Sequence, residues 1–79
     1  MSYGNVFTKI NREYYQLTGA EKKIADYILS QRQDCQYMSI SELAEVAEVA
    51  EATVSRFCRR LGYRGYSAFK LAVAGASAG

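Results

Sequence analysis

The sequence predicts a small all-α domain of five helices, and three observations carry that prediction. No proline interrupts its 79 residues. Apolar residues return three and four positions apart, the spacing that lines one face of a helix rather than one face of a strand. Two stretches, TGAE at 18–21 and SISE at 39–42, have the form of capping boxes, in which a hydroxyl and a carboxylate each satisfy an orphan amide of the first turn. A chain of this length holds one core and buries roughly 60% of the surface its unfolded form exposes. With 49% hydrophobic and 23% charged residues, the composition is that of a folded domain rather than a disordered segment.

The first helix is expected over about residues 3–15, where Tyr3, Phe7, Ile10 and Tyr14 share a face, although no good cap marks its start. The second opens at Thr18 and buries Ile24, Tyr27 and Ile28. The stretch QRQDCQYM has no period and reads as a connection. The third helix opens at Ser39, with Met38 and Leu43 placed as a hydrophobic staple and Leu43, Ala44 and Ala47 on its inner face. A turn at Glu48, Val49 and Ala50 leads into the fourth helix, residues 51–61, where Val49 and Val54 form a second staple. Gly62 ends that helix as a left-handed residue with Tyr63 as its apolar contact. The stretch YSAFKLAVA makes the fifth helix, with Phe69 and Val73 four apart. GASAG is expected to be a frayed end or the start of a linker, so the domain is placed at residues 1–74.

Two short helices joined by a three-residue turn satisfy the spacing of a helix-turn-helix. Ala44 supplies the small residue where the second helix crosses the first, Val49 plugs the turn, and Val54 and Phe57 anchor the second helix from below. The competing reading is two packed helices of a generic bundle. Charge separates the two readings. The net charge of +2 conceals a segment, residues 51–79, with five basic residues against one acid, directly after residues 39–50, which have three acids and no base. Residues 1–38 are near balance, with five basic and four acidic groups, so the net positive charge is local to the second helix and the residues after it, the electrostatic footprint of a nucleic-acid binder.

In such a motif the second helix enters the major groove and its N-terminal half meets base edges. The positions facing away from Val54 and Phe57 are Glu51, Ala52, Ser55, Arg56 and Arg59. Arg56 is the principal base-reading candidate, because guanidinium donates two bonds to guanine O6 and N7. Glu51 is suited to cytosine N4, or equally to the dipole at the start of its own helix. Ala52 offers a methyl contact to thymine. Thr53, Ser55, Arg60 and Arg64, with Arg59 as a further cation, are suited to phosphate oxygens, which set position without reading sequence. Lys70 is more simply a solvated surface lysine. Tyr63 and Tyr66 are within the range of backbone contacts but are explained as well by packing.

Other functions find less support. There is no histidine, and Cys35 and Cys58 form no CxxC pair, so neither a metal site nor a cofactor is expected. Cys58 reads as a small buried hydrophobe. No catalytic set is visible, so an enzyme is the least supported class. A helical interaction or dimerisation module without DNA binding is the alternative, on the strength of the tyrosine-rich face of the first helix. No apolar run reaches the roughly 18 residues of a membrane span, and the start lacks a signal-peptide core, so a soluble, cytoplasmic protein is expected.

The runs LTGAEKKIADYIL and MSISELAEVAEVAEATVSRFCRRLGYRGYSAFKLAVA resemble the N-terminal domain of RpiR-type transcriptional regulators over residues 17–74. TVSR alone also resembles LacI-type recognition helices, but the continuation RFCRRLGYRGYSAFK is similar to the RpiR type. The resemblance implies a homeodomain-like helix-turn-helix and a bacterial regulator that represses or activates sugar-metabolism operons. It also implies a homodimer on double-stranded operator DNA. A sugar-isomerase-type (SIS) domain that senses a phosphosugar follows in such proteins, and the sequence ends at Gly79 without it, so an effector is expected only through that domain. Two positions depart from the family pattern: Glu48 stands where glycine is frequent and Ala50 where serine is. The first costs on the order of 1 kcal/mol if the turn keeps a left-handed residue there, and the second roughly 0.5–2 kcal/mol through a lost cap.

Overall fold

The computed structural model describes the backbone of residues 5–32 and 34–78. Five helices follow in order: α1 (Val6–Glu13), α2 (Gly19–Ser30), α3 (Ile40–Ala47), α4 (Glu51–Arg60) and α5 (Tyr66–Ala78), with 3₁₀ turns at Tyr14–Gln16 and Asp34–Tyr37. There is no strand among the described residues. None of their helices is long and apolar enough to cross a membrane.

Both capping boxes form. The Thr18 and Glu21 side chains each take the other's backbone amide, at 3.2 and 2.9 Å. Ser39 and Glu42 do the same at 3.1 and 2.8 Å. The start of α1 corrects the sequence expectation. Asn5 is an N-cap whose Oδ1 accepts from the Thr8 amide at 3.1 Å, so the helix begins at Val6. Tyr3, expected on its apolar face, lies outside the described residues.

The helices α2, α3 and α4 pack on one another, and α5 lies across α1, α4 and the second 3₁₀ turn. Ile10, Ile24, Ile28, Leu43, Val54 and Phe57 are fully buried where these layers meet. Tyr27 and Tyr14, expected inside, are only partly buried and pack against the core's edge. Ala25, Leu17 and Val6 are inside as well. The aperiodic connection contains structure of its own: Cys35 is buried in the 3₁₀ turn, and the Tyr66 hydroxyl donates to the Met38 carbonyl at 2.7 Å.

α5 continues through Ala78, past the point where the sequence suggested fraying. Alanine is the best helix former, and one glycine in a helix costs about 1 kcal/mol relative to alanine, too little to break a helix already docked by Phe69 and Val73.

The two joints around α4 use the same backbone device. After α3, the Glu48 amide donates to the Glu45 carbonyl at 3.1 Å and the Val49 amide to Ala44 at 2.9 Å. After α4, Gly62 donates to Arg59 at 2.9 Å and Tyr63 to Cys58 at 3.0 Å. This is the Schellman pairing, which needs a left-handed residue at its corner. Gly62 supplies it at φ 99°, and so does Glu48 at φ 61°, the one non-glycine residue with positive φ among those described. Ala50 opens α4 with no side-chain cap; only its carbonyl is engaged, by the Thr53 and Val54 amides.

Two stabilising substitutions follow from these joints. Glu48→Gly relieves the left-handed backbone and is expected to add up to about 1 kcal/mol. Ala50→Ser restores a cap worth roughly 0.5–2 kcal/mol. Each kilocalorie raises the melting temperature of a domain this size by about 4–8 °C. A thermal melt of Ala50→Ser at or below the parent's would show that the α4 amides are satisfied without a side chain.

Candidate nucleic-acid interface

α4 presents two surfaces because its apolar residues fall on one side. Val54, Phe57 and Cys58 are fully buried, with Leu61 just beyond the helix also inside. Phe57 meets Phe69 of α5 edge-on at 5.9 Å between ring centres. Glu51, Ala52, Arg56, Arg59 and Arg60 are exposed, and Thr53 and Ser55 are partly so. Arg64 is exposed in the loop after Gly62, and Lys70 is partly exposed on α5. Every residue assigned from sequence to bases or phosphates therefore keeps access to solvent.

Their surroundings differ. The Arg56 Nη2 reaches back to the Thr53 hydroxyl at 3.4 Å, a long contact that leaves most of its donors available. The Ser41 hydroxyl on α3 donates to the Glu51 carboxylate at 2.5 Å, which ties the first turns of α3 and α4 together. Glu51 therefore has a structural role as well as its place at the helix dipole. Arg60 donates through Nε to Oε1 of Glu21 at 3.0 Å, and Glu21 is almost wholly buried. An open groove between the start of α2 and α4 is lined by Thr18, Ala20, Glu21, Thr53, Arg56, Arg59 and Arg60. Ser55 and Ala52 lie outside this groove.

The tyrosines are placed as struts. Tyr63 and Tyr66 both pack against Phe69, and Lys9 of α1 sits 4.8 Å from the Tyr63 ring centre. Burial pushes the Tyr66 hydroxyl up to about 12, and its proton is committed to the Met38 carbonyl. Of the two explanations the sequence left for Tyr66, its internal bond fits packing. Burial raises the thiols of Cys58 and Cys35 to about 12 and about 11, and both are free and inside the core. Among the described residues no cluster of three or more histidine, cysteine or acidic side chains is placed to hold a metal.

Glu21 is the residue that sequence reasoning missed. It was legible as the acid of a capping box, but its second partner lies on a helix remote in sequence, and no local pattern announces it. Burial raises its pKa, and the Thr18 amide, the Arg60 guanidinium and the Thr18 hydroxyl together outweigh that, so the net shift is downward.

The chain matches the model of the rpiR-family helix-turn-helix domain over residues 4–79. The chain belongs to that family. It is a DNA-binding domain of the transcriptional-regulator type. A Haemophilus influenzae HTH-type transcriptional regulator, itself uncharacterized, is 48% identical over 68 residues, which cover 86% of this chain and 24% of that protein. Among solved structures, Vibrio vulnificus NanR complexed with ManNAc-6P superposes with a TM-score of 0.90 at 35% identity, over 94% of this chain and 28% of NanR. The N-terminal domain of the putative regulator ybbH from Bacillus subtilis gives 0.83 at 32%, over 87% of this chain and 84% of that one. The rpiR domain here thus spans about a quarter of the regulators it resembles.

The Glu21 carboxylate predicts how the fold responds to acid. Its folded pKa lies below the ordinary 4.5. The stability it contributes is present above that ordinary value and is lost as pH falls through the folded one. Chemical denaturation across this range is expected to show stability declining in acid, and Glu21→Gln to flatten part of that decline while costing about 1 kcal/mol at neutral pH. Parallel pH profiles for the two proteins would place the acid sensitivity elsewhere.

Proposed function

We propose that this domain binds operator DNA sequence-specifically, with α4 in the major groove of the duplex. The observation that supports the reading is that α4 is anchored by Val54, Phe57 and Cys58 while its arginine side remains uncovered. Arg56 reads guanine by a bidentate contact. Ser55, Ala52 and Arg59 face the DNA major groove with it, and Glu51 does so within the limits its Ser41 bond sets. Thr53, Ser55, Arg60 and Arg64 hold phosphates. The domain acts as one half of a homodimer, whose two copies address half-sites about 34–36 Å apart. Exposed Tyr15, Tyr37 and Leu71, each at least 74% accessible, are consistent with a second chain.

The parent protein, on this proposal, is a cytoplasmic regulator of sugar-metabolism genes. NanR, with its bound ManNAc-6P, supports a phosphosugar as the effector class. The phosphosugar effector acts through a domain beyond the helix-turn-helix, and the helix-turn-helix domain itself performs no catalysis.

Titration of the protein with duplex DNA at increasing salt is expected to give a log–log slope of about −0.9 per phosphate contact. Absence of binding at low salt would favour the interaction-module reading. Selection from a random DNA pool separates the residue roles. Arg56→Ala should cost roughly 1–3 kcal/mol at the preferred site and relax one base pair, whereas Arg64→Ala should weaken all sequences alike. An unchanged selected sequence for the Arg56 variant would remove it from base reading.

A further inference from the structure

We propose that Glu21 is a positioning residue for DNA contact. Its buried carboxylate takes the Nε of Arg60, leaving that arginine's two terminal nitrogens as the donors presented in the groove shared with Thr53, Arg56 and Arg59, where they grip one backbone phosphate. The inference rests on the DNA-binding role of α4 and extends the interface to α2, which contributes none of the residues assigned to DNA from the sequence.

Three observations carry it. First, the contact is made at Nε, at 3.0 Å, so the carboxylate occupies one edge of the guanidinium and not the whole fork. Arginine has five donors in a rigid plane, and fixing one edge fixes the direction of the others. Second, Glu21 cannot swing away. The same Oε1 that takes the Arg60 Nε also accepts from the Thr18 amide at 2.9 Å, and the Glu21 side chain is 5% accessible, while that of Arg60 is 37% accessible. A buried, doubly bonded acid next to a half-solvated base is the arrangement that orients the base outward. Third, Arg60 stands four residues after Arg56 and seven after Thr53, so the three share a stripe of α4, and all three line the groove with Arg59. An arginine held in place loses less side-chain entropy on meeting phosphate than a free one, which is how a carboxylate aids an anion-binding site despite its own charge.

That charge makes the test sharp. Glu21→Gln removes a negative charge beside the interface, so electrostatics alone would tighten binding and steepen its salt dependence. Gln remains competent at this position of a capping box, so α2 keeps its start. The experiment measures affinity for a selected operator duplex over a salt series, for the parent, Glu21→Gln, Arg60→Ala and the double variant, each checked by circular dichroism at the assay temperature. Glu21→Gln is expected to bind roughly fivefold more weakly with a slope shallower by about 0.9, and the double variant to bind no worse than Arg60→Ala. Arg60→Lys, which keeps the charge but cannot serve both partners in one plane, is expected to show the same shallower slope. A folded Glu21→Gln that binds as well as or better than the parent, with an equal or steeper slope, would overturn the assignment and leave Glu21 a structural residue. The parent's own titration is the control for DNA binding itself: if it fails to bind, the function falls together with this inference, whereas normal parent binding isolates the role of Glu21.

Discussion

Phe57 has no accessible surface and meets the ring of Phe69 edge-on at 5.9 Å, while Phe69 is in turn bracketed by Tyr63 and Tyr66. This aromatic cluster fixes the rotation of α4 about its own axis, and that rotation decides which residues face outward. Turning the helix by one residue would bring Arg56 or Cys58 to the place of Phe57. The first would leave a charge without solvent in the core, which is far costlier than any contact it could form there. The position of the arginines is therefore a consequence of where the apolar residues must go. Edge-to-face pairs add about 0.5–1.5 kcal/mol beyond the area they bury, and they also carry direction, which burial alone does not.

Set against that packing, the joint between α3 and α4 is poorly optimised. Glu48 adopts a left-handed backbone without being glycine, and Ala50 offers α4 no side-chain cap. Together these cost on the order of 2 kcal/mol relative to better residues. Full burial of Val54 and Phe57 contributes roughly 1.5–3 kcal/mol each, and Leu43 across the interface adds a similar amount. Packing wins, which explains why the turn keeps its geometry with suboptimal residues. The Ser41 to Glu51 bond adds a tie across the same joint and partly offsets the missing cap by holding an acid at the α4 dipole.

How much of this was legible in the sequence depends on range. Both capping boxes, the inner faces of α3 and α4 and the left-handed Gly62 are governed by residues within five positions of one another, and each was read from spacing. The Asn5 cap was missed although asparagine is a preferred capping residue, because the apolar spacing carried through Tyr3 drew the start too early. The 3₁₀ turn at Asp34–Tyr37 is organised by the Tyr66 hydroxyl and by burial of Cys35 beneath α5, neither of which leaves a local pattern. The Glu21 to Arg60 pair is the same kind of case at the interface. Whether an acid caps a helix is written in four residues; whether it also holds an arginine depends on how two helices cross.

The distribution of acids gives the interface a direction. α3 exposes Glu42 and Glu45, with Glu48 exposed at the turn that ends it, while α4 after that turn exposes Arg56, Arg59 and Arg60. These groups lie on or beside two helices that pack on each other, and charge acts over roughly 8 Å at physiological salt. A duplex approaching from the α3 side meets carboxylates, and one approaching along α4 meets guanidinium groups. Long-range attraction thus favours docking poses in which α4 leads, before any base is read. Burial of Glu21 extends the same logic inward: its Oε1 accepts from both the Thr18 amide and the Arg60 Nε, so a carboxylate near the basic groove is tolerated there, its charge offset in part by the arginine it orients. The apolar side of α4 fixes its rotation, its arginines supply the attraction, and the acids around it limit the directions from which that attraction can be used.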